Sequence, residues 1–199
     1  MKLVDYVYLS AKRSPNSIAY SFMGKKTTYK EMAKRIDEVA SSLISIGLKD
    51  KDIVCIAMPN SPQAILTIYA CNKIGVTVNM IHPLSSENEY LTFINKVNAS
   101  TVLVIDQFYN KIQSIREKTK LKNVIVASVR DELDFVKKIG YDLTIGRKMP
   151  KLDDKALPWT TFIKYKSDVN LNKLNTKNDI ALILHSGGTT GKVKGVMLS

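Results

Sequence analysis

The stretch IVCIAMPNSP, residues 53–62, places a strand and the start of a helix side by side. Its first part, Ile53 to Met58, is a continuous apolar run, which is typical of a strand buried on both faces. Ser61 then provides a side chain that can cap a helix, and Pro62 suits the first helical position, where no backbone N–H donor is needed. A buried strand that leads directly into a helix favours an α/β fold.

The same alternation continues on both sides of this stretch. Upstream, Thr28 and Glu31 form a capping box for a helix whose apolar residues recur at helical spacing until Gly47 ends it. Downstream, Ser86 and Glu89 form a second capping box. Apolar runs separated by helix-length amphipathic segments predict further strands at residues 76–80, 101–105 and 123–127. The pattern therefore predicts a mostly parallel sheet flanked by helices on both faces.

The remaining segments are less regular. Near the N-terminus, a helix is predicted for residues 4–12, followed by a small hairpin whose strands flank residues 23–26. Between residues 128 and 178 the periodicity weakens, and only two helices are predicted there, at 132–139 and 159–165. We assign no function to this middle segment from its sequence.

The composition is that of a globular protein, with 199 residues of which 45% are hydrophobic and 24% are charged. The first residues include an acid and tyrosines where a signal peptide needs an unbroken apolar run, and no segment approaches the ~20 apolar residues of a membrane span. We therefore expect no membrane span and a cytoplasmic location. Cys55 and Cys71 lie in apolar stretches at a spacing that no metal site uses, which predicts buried free thiols.

The formal net charge of the chain is +12. A basic field of this size attracts polyanions such as nucleic acids and anionic membrane surfaces. The lysines, however, are scattered among acidic residues over the whole length, and no compact basic tract contains interleaved aromatic residues of the kind that stack on bases. The charge pattern therefore predicts a solvated basic surface and no nucleic-acid partner.

The last stretch of the chain has the composition of a phosphate-binding loop. A predicted strand at residues 180–184 leads directly into HSGGTTGKVKG, residues 185–195. Glycines let the backbone turn sharply and bring its N–H groups close to an anion, hydroxyl groups donate further hydrogen bonds, and lysine supplies positive charge. These residue types following a buried strand predict that the loop binds phosphate groups.

Two widespread phosphate loops do not fit this stretch. The pattern G-x-x-x-x-G-K-[ST] needs four residues between its glycines, whereas Gly187 and Gly191 enclose three, and Val193 has no hydroxyl group to bind magnesium. The dinucleotide-binding pattern G-x-G-x-x-G needs a glycine where Ser186 stands. Neither nucleotide-binding class therefore explains the loop.

The loop instead resembles the signature of the adenylate-forming superfamily, T-S-G-T-T-G-x-P-K-G, position by position over residues 186–195. This superfamily includes acyl-CoA synthetases, luciferases and the adenylation domains of peptide synthetases. Gly187 replaces the commoner serine, and Val193 replaces the commoner proline. Loss of that proline is expected to affect the affinity of the loop for phosphate more than the assignment of the chain to the family. Further blocks that resemble the family lie at residues 28–31, 52–61, 72–76 and 83–89.

The resemblance implies that the loop holds the phosphates of ATP, with Thr189 and Thr190 as hydroxyl donors and Lys194 as the positive charge. The phosphate-binding residues implied in this way are Ser186, Gly187, Gly188, Thr189, Thr190, Gly191 and Lys194. The resemblance also implies that residues 1–199 are a truncated N-terminal part of the AMP-binding large domain, without the rest of that domain and without a small C-terminal domain. No catalytic residue and no metal ligand is expected in this part.

The activity implied by the resemblance is that of an ATP-dependent acid–CoA ligase. Such an enzyme activates a carboxylic acid as acyl-AMP with release of pyrophosphate, and then transfers the acyl group to coenzyme A. The acid is expected to be a fatty acid here. ATP, Mg²⁺ and coenzyme A are the implied cofactors and co-substrates, and the truncated chain itself is expected to be inactive. Two alternatives stay open: an adenylation domain that loads an amino or aryl acid onto a carrier protein, and a nucleotide-binding module without catalysis.

Four polar or turn residues are expected to have structural roles only. Pro59 and Asn60 are predicted to shape the turn between strand and helix at the edge of the sheet. His185 is predicted to be a packing residue, and His82 an ordinary loop residue. We therefore leave all four outside the predicted site.

Overall fold

The computed structural model describes residues 1–174, 176, 178–186 and 194–199. In chain order, the helices are α1 Leu3–Arg13, α2 Tyr29–Ser45, α3 Pro62–Ile74, α4 Glu87–Lys96, α5 Tyr109–Ile115, α6 Phe135–Leu143 and α7 Trp159–Phe162. The strands are β1 Ile18–Phe22, β2 Lys25–Thr28, β3 Ile53–Ala57, β4 Thr77–Met80, β5 Thr101–Ile105, β6 Asn123–Ala127, β7 Leu157–Pro158, β8 Leu182–Ser186 and β9 Lys194–Leu198.

Most of these strands form one sheet. Within the described ranges, β1 and β2 make a separate antiparallel hairpin, and the other seven strands join in the order β7-β6-β5-β3-β4-β8-β9. Neighbouring strands of this sheet are parallel except for β8 and β9, which are antiparallel. The sheet is therefore mostly parallel, as the sequence predicts.

The central strand β3 shows why both faces of the sheet must be covered. Val54 and Ile56 point into one apolar core, Cys55 and Ala57 point into the other, and all four side chains are buried. Helices α1, α2, α3 and α7 supply the first core, whereas α4 and α5 supply the second. The predicted class, a mostly parallel α/β sheet between two helical layers with a small N-terminal hairpin, is confirmed.

The order of the strands also determines where a crevice opens. β4 pairs with one side of β3 and β5 with the other, while the helices that follow β3 and β5 pack on opposite faces of the sheet. The chain segments that leave the carboxyl ends of these two neighbouring strands therefore diverge. In open α/β sheets, ligands bind in the crevice that such a divergence leaves.

The helix starts predicted from capping residues are confirmed. The Thr28 hydroxyl accepts from the backbone N–H of Glu31 at 3.3 Å, and the Glu31 carboxylate accepts from the backbone N–H of Thr28 at 2.8 Å. Ser86 and Glu89 repeat this reciprocal pair at the start of α4, at 3.3 and 2.7 Å. At the start of α3, the hydroxyl of Ser61 accepts from a first-turn N–H group at 3.3 Å. Each cap satisfies backbone donors that the helix itself leaves unpaired.

The two helices predicted in the middle segment differ from the structure in their bounds. The helix predicted at 132–139 is α6, which starts at Phe135 because the side chain of Asp134 caps it. Glu132 instead lies in the preceding 3-10 turn and is buried. The helix predicted at 159–165 is α7, a single turn that ends at Phe162. Periodicity over so few residues does not distinguish a helical turn from a longer helix.

Both cysteines are free and buried, as predicted. Burial raises the pKa of Cys55 to about 12 and also raises the pKa of Cys71, so neither thiol is ionised at neutral pH. In the part of the chain that the structure describes, we find no helix long and apolar enough to cross a bilayer.

A buried ion pair connects α2 with the middle segment. The guanidinium of Arg35 donates to the carboxylate of Glu132, whose side chain is 5% exposed, and also donates to the hydroxyl of Tyr20 at 2.7 Å. The pair therefore holds α2, the N-terminal hairpin and the segment before α6 together. A buried carboxylate is stable only with such a partner, since an unpaired charge there loses its hydration without compensation.

We expect Arg35→Met to lower the free energy of unfolding by about 3 kcal/mol, because it leaves Glu132 buried without a partner. The double variant Arg35→Met/Glu132→Met should regain most of this loss, since it removes both charges together. Urea unfolding followed by circular dichroism measures both effects. Lys34→Met is the control, because the side chain of Lys34 is 79% exposed and its removal should change little. A double variant no more stable than Arg35→Met would contradict the interpretation.

Candidate functional site

The predicted phosphate loop joins the two strands of an antiparallel pair. β8 extends through His185 to Ser186, two residues beyond the predicted end of the strand at 184, and β9 begins at Lys194. Ser186 and Lys194 are paired across the ladder, so the first and last predicted site residues are brought opposite each other. The side chain of Lys194 is exposed to solvent.

The central part of the predicted loop lies outside the described residues. This applies to Gly187, Gly188, Thr189, Thr190 and Gly191. Of the predicted site, the structure therefore describes the two ends, where β8 runs parallel to β4 and thus ends at the carboxyl edge of the sheet.

His185 lies just before the loop and contacts the neighbouring strand and helix. Its ring stacks on Phe93 with centroids 4.0 Å apart and an interplanar angle of 14°. Its Nε2 lies 2.7 Å from Oδ1 of Asn79, a fully buried amide on β4. The ring of His185 therefore packs against Phe93, as predicted, and it also forms a specific hydrogen bond with Asn79.

The surroundings of Asn79 determine which nitrogen of His185 carries the proton. The Asn79 amide nitrogen donates to Sγ of Cys55 at 3.3 Å and to the Phe93 carbonyl oxygen at 3.5 Å, so its oxygen faces His185 as an acceptor. Nε2 must therefore carry hydrogen, which leaves Nδ1 as an acceptor. Nδ1 is buried and has no hydrogen-bond partner among the described residues.

The charge state of His185 follows from burial. Loss of hydration, with a smaller contribution from the positive charge of Lys96, lowers the pKa of His185 below its usual value. The ring is consequently neutral at neutral pH. A neutral ring with this tautomer leaves Nδ1 as an acceptor and adds no positive charge near Lys194.

A cavity of about 910 Å³ opens beside His185 at the carboxyl edge of the sheet. It lies at the ends of four adjacent strands, β5, β3, β4 and β8, which include the crevice that the strand order predicts. Its wall is mostly apolar, and the apolar lining residues include Met58, Met80, Ile81, Leu84, Phe93, Ile105, Phe108 and Leu184. A cavity with this lining suits an organic group with a polar end.

Four residues that were predicted to lie outside the site line this cavity. Pro59 and Asn60 follow β3, His82 follows β4, and His185 is the last residue but one of β8. His82 also accepts from the backbone N–H of Leu84 at 3.2 Å, which fixes its ring within the loop. All four residues lie shortly after the end of a predicted strand. The carboxyl ends of parallel strands meet at one edge of the sheet, so this position is the sequence feature that could have assigned them to the site.

Magnesium is the metal ion that the resemblance implies. Across residues 1–174, 176, 178–186 and 194–199, no three or more histidine, cysteine, aspartate or glutamate side chains form a group that could hold a metal ion. Divalent magnesium needs oxygen ligands arranged octahedrally. No set of three or more such side chains among these residues would therefore hold magnesium without additional ligands such as phosphate oxygens or water.

Known proteins match this chain along most of its length. The family model of the AMP-binding enzyme matches residues 7–199. The long-chain-fatty-acid–CoA ligase of Bacillus subtilis is 31% identical over 195 residues, which are 96% of this chain and 35% of that protein. The acetyl-coenzyme A synthetase of Escherichia coli is 28% identical over 173 residues, covering 87% of this chain and 26% of that protein.

Solved structures share the fold. A crystal structure of an anthranilate CoA ligase in complex with anthranoyl-AMP superposes with a TM-score of 0.81 at 18% identity, over 99% of this chain and 34% of that one. A long-chain-fatty-acid-CoA ligase from Archaeoglobus fulgidus superposes with a TM-score of 0.73 at 22% identity, over 100% of this chain and 37% of that one. The chain thus spans about a third of the length of these proteins. Since the family model covers nearly all of it, the chain belongs to the AMP-binding enzyme family.

Proposed function

We propose that this chain is part of an ATP-dependent acid–CoA ligase that activates a carboxylic acid, preferably a fatty acid, as acyl-AMP. One observation carries the proposal. A segment with the family's phosphate-binding pattern joins two paired strands at the carboxyl edge of the sheet, beside an apolar cavity. A charged triphosphate and an apolar acid are the two substrates that such neighbouring surfaces suit.

The proposed reaction has two steps. In the first, a carboxylate oxygen attacks the α-phosphorus of ATP, and the bond to the bridging oxygen breaks so that pyrophosphate leaves with its electron pair. In the second, the thiol of coenzyme A loses its proton and attacks the acyl carbon, and AMP leaves. Negative charge grows on the departing pyrophosphate in the first step, so preorganised donors near its oxygens lower the barrier.

We assign the phosphate contacts to the predicted loop. Ser186, Thr189 and Thr190 would donate hydroxyl hydrogen bonds, and Lys194 would supply a positive charge. The glycines at 187, 188 and 191 would let backbone N–H groups approach the oxygens closely. The pairing of Ser186 with Lys194 supports this assignment, because it places both ends of the loop at the same point of the sheet edge.

Magnesium enters this proposal through ATP. When bound, it neutralises charge on the phosphate oxygens, and its remaining ligands would be water and groups outside the described residues. The residues of this chain that we describe hold no cluster for it. We therefore assign these residues to binding and orienting the nucleotide, and we derive no step that passes through the metal.

The cavity is proposed to hold the apolar part of an organic substrate. Its mostly apolar wall would release water on binding, which favours binding of aliphatic or aromatic groups. His185 lines the cavity directly before the loop, and its buried Nδ1 is a lone-pair acceptor with no partner among the described residues. This arrangement would direct the polar end of the substrate toward the phosphates.

We further propose that residues 1–199 correspond to the first part of the AMP-binding large domain. The catalytic residues, the rest of the acyl site and the small C-terminal domain would belong to the length of the relatives that this chain does not span. The names of both sequence relatives specify coenzyme A, which supports CoA over a carrier protein as acyl acceptor. Two buried free thiols suit a reducing compartment, so we propose a cytoplasmic reaction.

The 199-residue chain alone should not catalyse the exchange of labelled pyrophosphate into ATP in the presence of a carboxylic acid. The phosphate loop on its own binds charge but lacks the remaining groups that position the carboxylate. The exchange assay is run with a panel of fatty and aromatic acids, and the Bacillus subtilis ligase serves as the positive control. Acid-dependent exchange by this chain would show that the proposed division of the site is wrong.

In a longer protein that contains this sequence, Lys194→Ala should weaken the binding of ATP, because it removes a charged hydrogen-bond donor. The expected loss of binding free energy is about 2 kcal/mol, which corresponds to a roughly thirtyfold higher KM for ATP. Lys194→Arg should retain much of the affinity, since the positive charge remains. Lys30→Ala is a matched control at an exposed lysine in α2. An unchanged KM for ATP in Lys194→Ala would remove this lysine from the site.

A further inference from the structure

Strand β8 extends beyond the end of the parallel strand that it pairs with. The register between β4 and β8 runs from Leu182 to Leu184, which lies opposite Met80, the last residue of β4. His185 and Ser186 continue β8 past this point, directly before the predicted phosphate loop. The two residues that lead into the loop therefore lie outside the register with β4.

The side chain of His185 connects this end of β8 back to β4. Side chains two residues apart on a strand point to the same face, so His185 shares a face with Ile183, the register partner of Asn79. From this position Nε2 of His185 donates to Oδ1 of Asn79 at 2.7 Å. The bond thus runs from the residue before Ser186 to the interior of the β4–β8 ladder.

The amide of Asn79 has one favourable orientation. Its nitrogen donates to Sγ of Cys55 on β3 and to the carbonyl oxygen of Phe93 on α4, and its oxygen accepts from His185. A rotation of the amide by 180° would bring its oxygen against the Phe93 carbonyl oxygen. Because Asn79 is fully buried, water cannot replace a bond that such a rotation breaks. Asn79 therefore presents its oxygen at one defined point.

The ring of His185 also contacts elements on its other sides. One face stacks on Phe93, with centroids 4.0 Å apart. The opposite edge lies toward β9, where Gly195 is the register partner of His185, and a Cβ atom added to Gly195 would lie 4.0 Å from Nδ1. The ring is therefore held between β4, α4 and the strand by which the chain leaves the loop.

We propose that Asn79 and His185 are positioning residues for the binding of ATP, in that Asn79 orients the ring of His185 and the ring fixes the point where the chain enters the phosphate loop. This inference rests on the proposed function of the loop. Hydrogen bonds to phosphate oxygens weaken steeply when distance or angle changes, so a loop that donates them needs ends at defined positions. Since Ser186 pairs with Lys194, fixing the end of β8 also fixes the start of β9.

The competing interpretation is that the bond only stabilises the folded protein. In that case a variant without the bond contains fewer folded molecules, and each folded molecule binds ATP as before. Steady-state kinetics then show a lower apparent kcat at an unchanged KM for ATP, because KM does not depend on the concentration of active enzyme. A positioning role instead raises the KM for ATP.

Kinetics of a longer protein that contains this sequence distinguish the two roles. Asn79→Leu should raise the KM for ATP about tenfold and the KM for the carboxylic acid less than about twofold, because Asn79 is fully buried and contacts neither substrate. His185→Phe keeps an aromatic ring against Phe93 but removes the bond, and it should raise the KM for ATP by a similar factor. His185→Gln retains an N–H donor and should stay within about threefold of the original KM.

The double variant Asn79→Leu/His185→Phe separates stability from positioning. His185→Phe leaves a buried amide oxygen without a partner, whereas the double variant replaces both partners by apolar side chains, so its Tm should exceed that of His185→Phe. Its KM for ATP should nevertheless remain about tenfold raised and not a hundredfold, since both changes remove the same bond. A KM that returns to the original value together with the Tm would overturn the proposal.

Asn123→Leu is the matched control for Asn79→Leu. The amide of Asn123 donates to the hydroxyl of Thr101 at 3.2 Å, where β5 and β6 begin, at the edge of the sheet opposite to the loop. This variant should leave the KM for ATP unchanged. An equal rise in the KM for ATP in Asn79→Leu and Asn123→Leu would contradict a specific role of Asn79.

Nitrogen-15 NMR of the 199-residue chain tests the connection without any substrate. The chain contains two histidines, His82 and His185, so a single His82→Gln variant assigns both rings. We expect the Nε2–H tautomer for His185, and a change of its ring resonances in Asn79→Leu that is absent in Asn123→Leu. An Nδ1–H tautomer would overturn the inference.

The kinetic outcomes also distinguish this inference from the proposed function. A longer protein that uses ATP in an acid-dependent reaction, but whose KM for ATP is unchanged in Asn79→Leu and His185→Phe, would overturn the inference alone. A longer protein without acid-dependent use of ATP would contradict the proposed function, and the inference with it.

Discussion

Burial of β3 on both faces is the constraint on which the rest of the structure depends. Its alternate side chains enter two separate cores, so helices must pack on both sides of the sheet. In this chain the helix after β3 covers one side, and the helix after β5 covers the other. The crevice at the carboxyl ends of these strands is a direct consequence of this division.

The β8–β9 hairpin brings the chemical groups to that crevice. Parallel pairing of β8 with β4 places its last residues at the carboxyl edge, and antiparallel pairing with β9 returns the chain to the same point. The hydrogen bond from His185 to Asn79 then connects the end of β8 to the buried centre of the sheet. A buried amide with all its groups paired holds its neighbours in one arrangement, because any other arrangement leaves a polar group without a partner.

The sequence predicted local features of the fold well, since they depend on residues close together in the chain. Capping boxes at Thr28 and Ser86 and the buried run from Ile53 are such features. The cavity was not predicted, because its walls come from the ends of four strands whose order the sequence does not reveal. Asn60 and His82 thus seemed to be turn residues only. The predicted start of α6 at residue 132 was wrong because Asp134 caps the helix and Glu132 belongs to the preceding 3-10 turn.

The pairing of charged side chains also depends on the fold and not only on the order of residues along the chain. Along the chain, lysines are scattered among acids, and this pattern predicts a solvated basic surface. In the structure, Asp142 pairs with Arg130, and Asp134 at the cap of α6 pairs with Lys137. Which charges are paired therefore depends on the fold and is not visible in the order of residues along the chain. An amphipathic helix normally turns its apolar side to the core, and α6 can do the opposite because Tyr141 attaches it from its polar side.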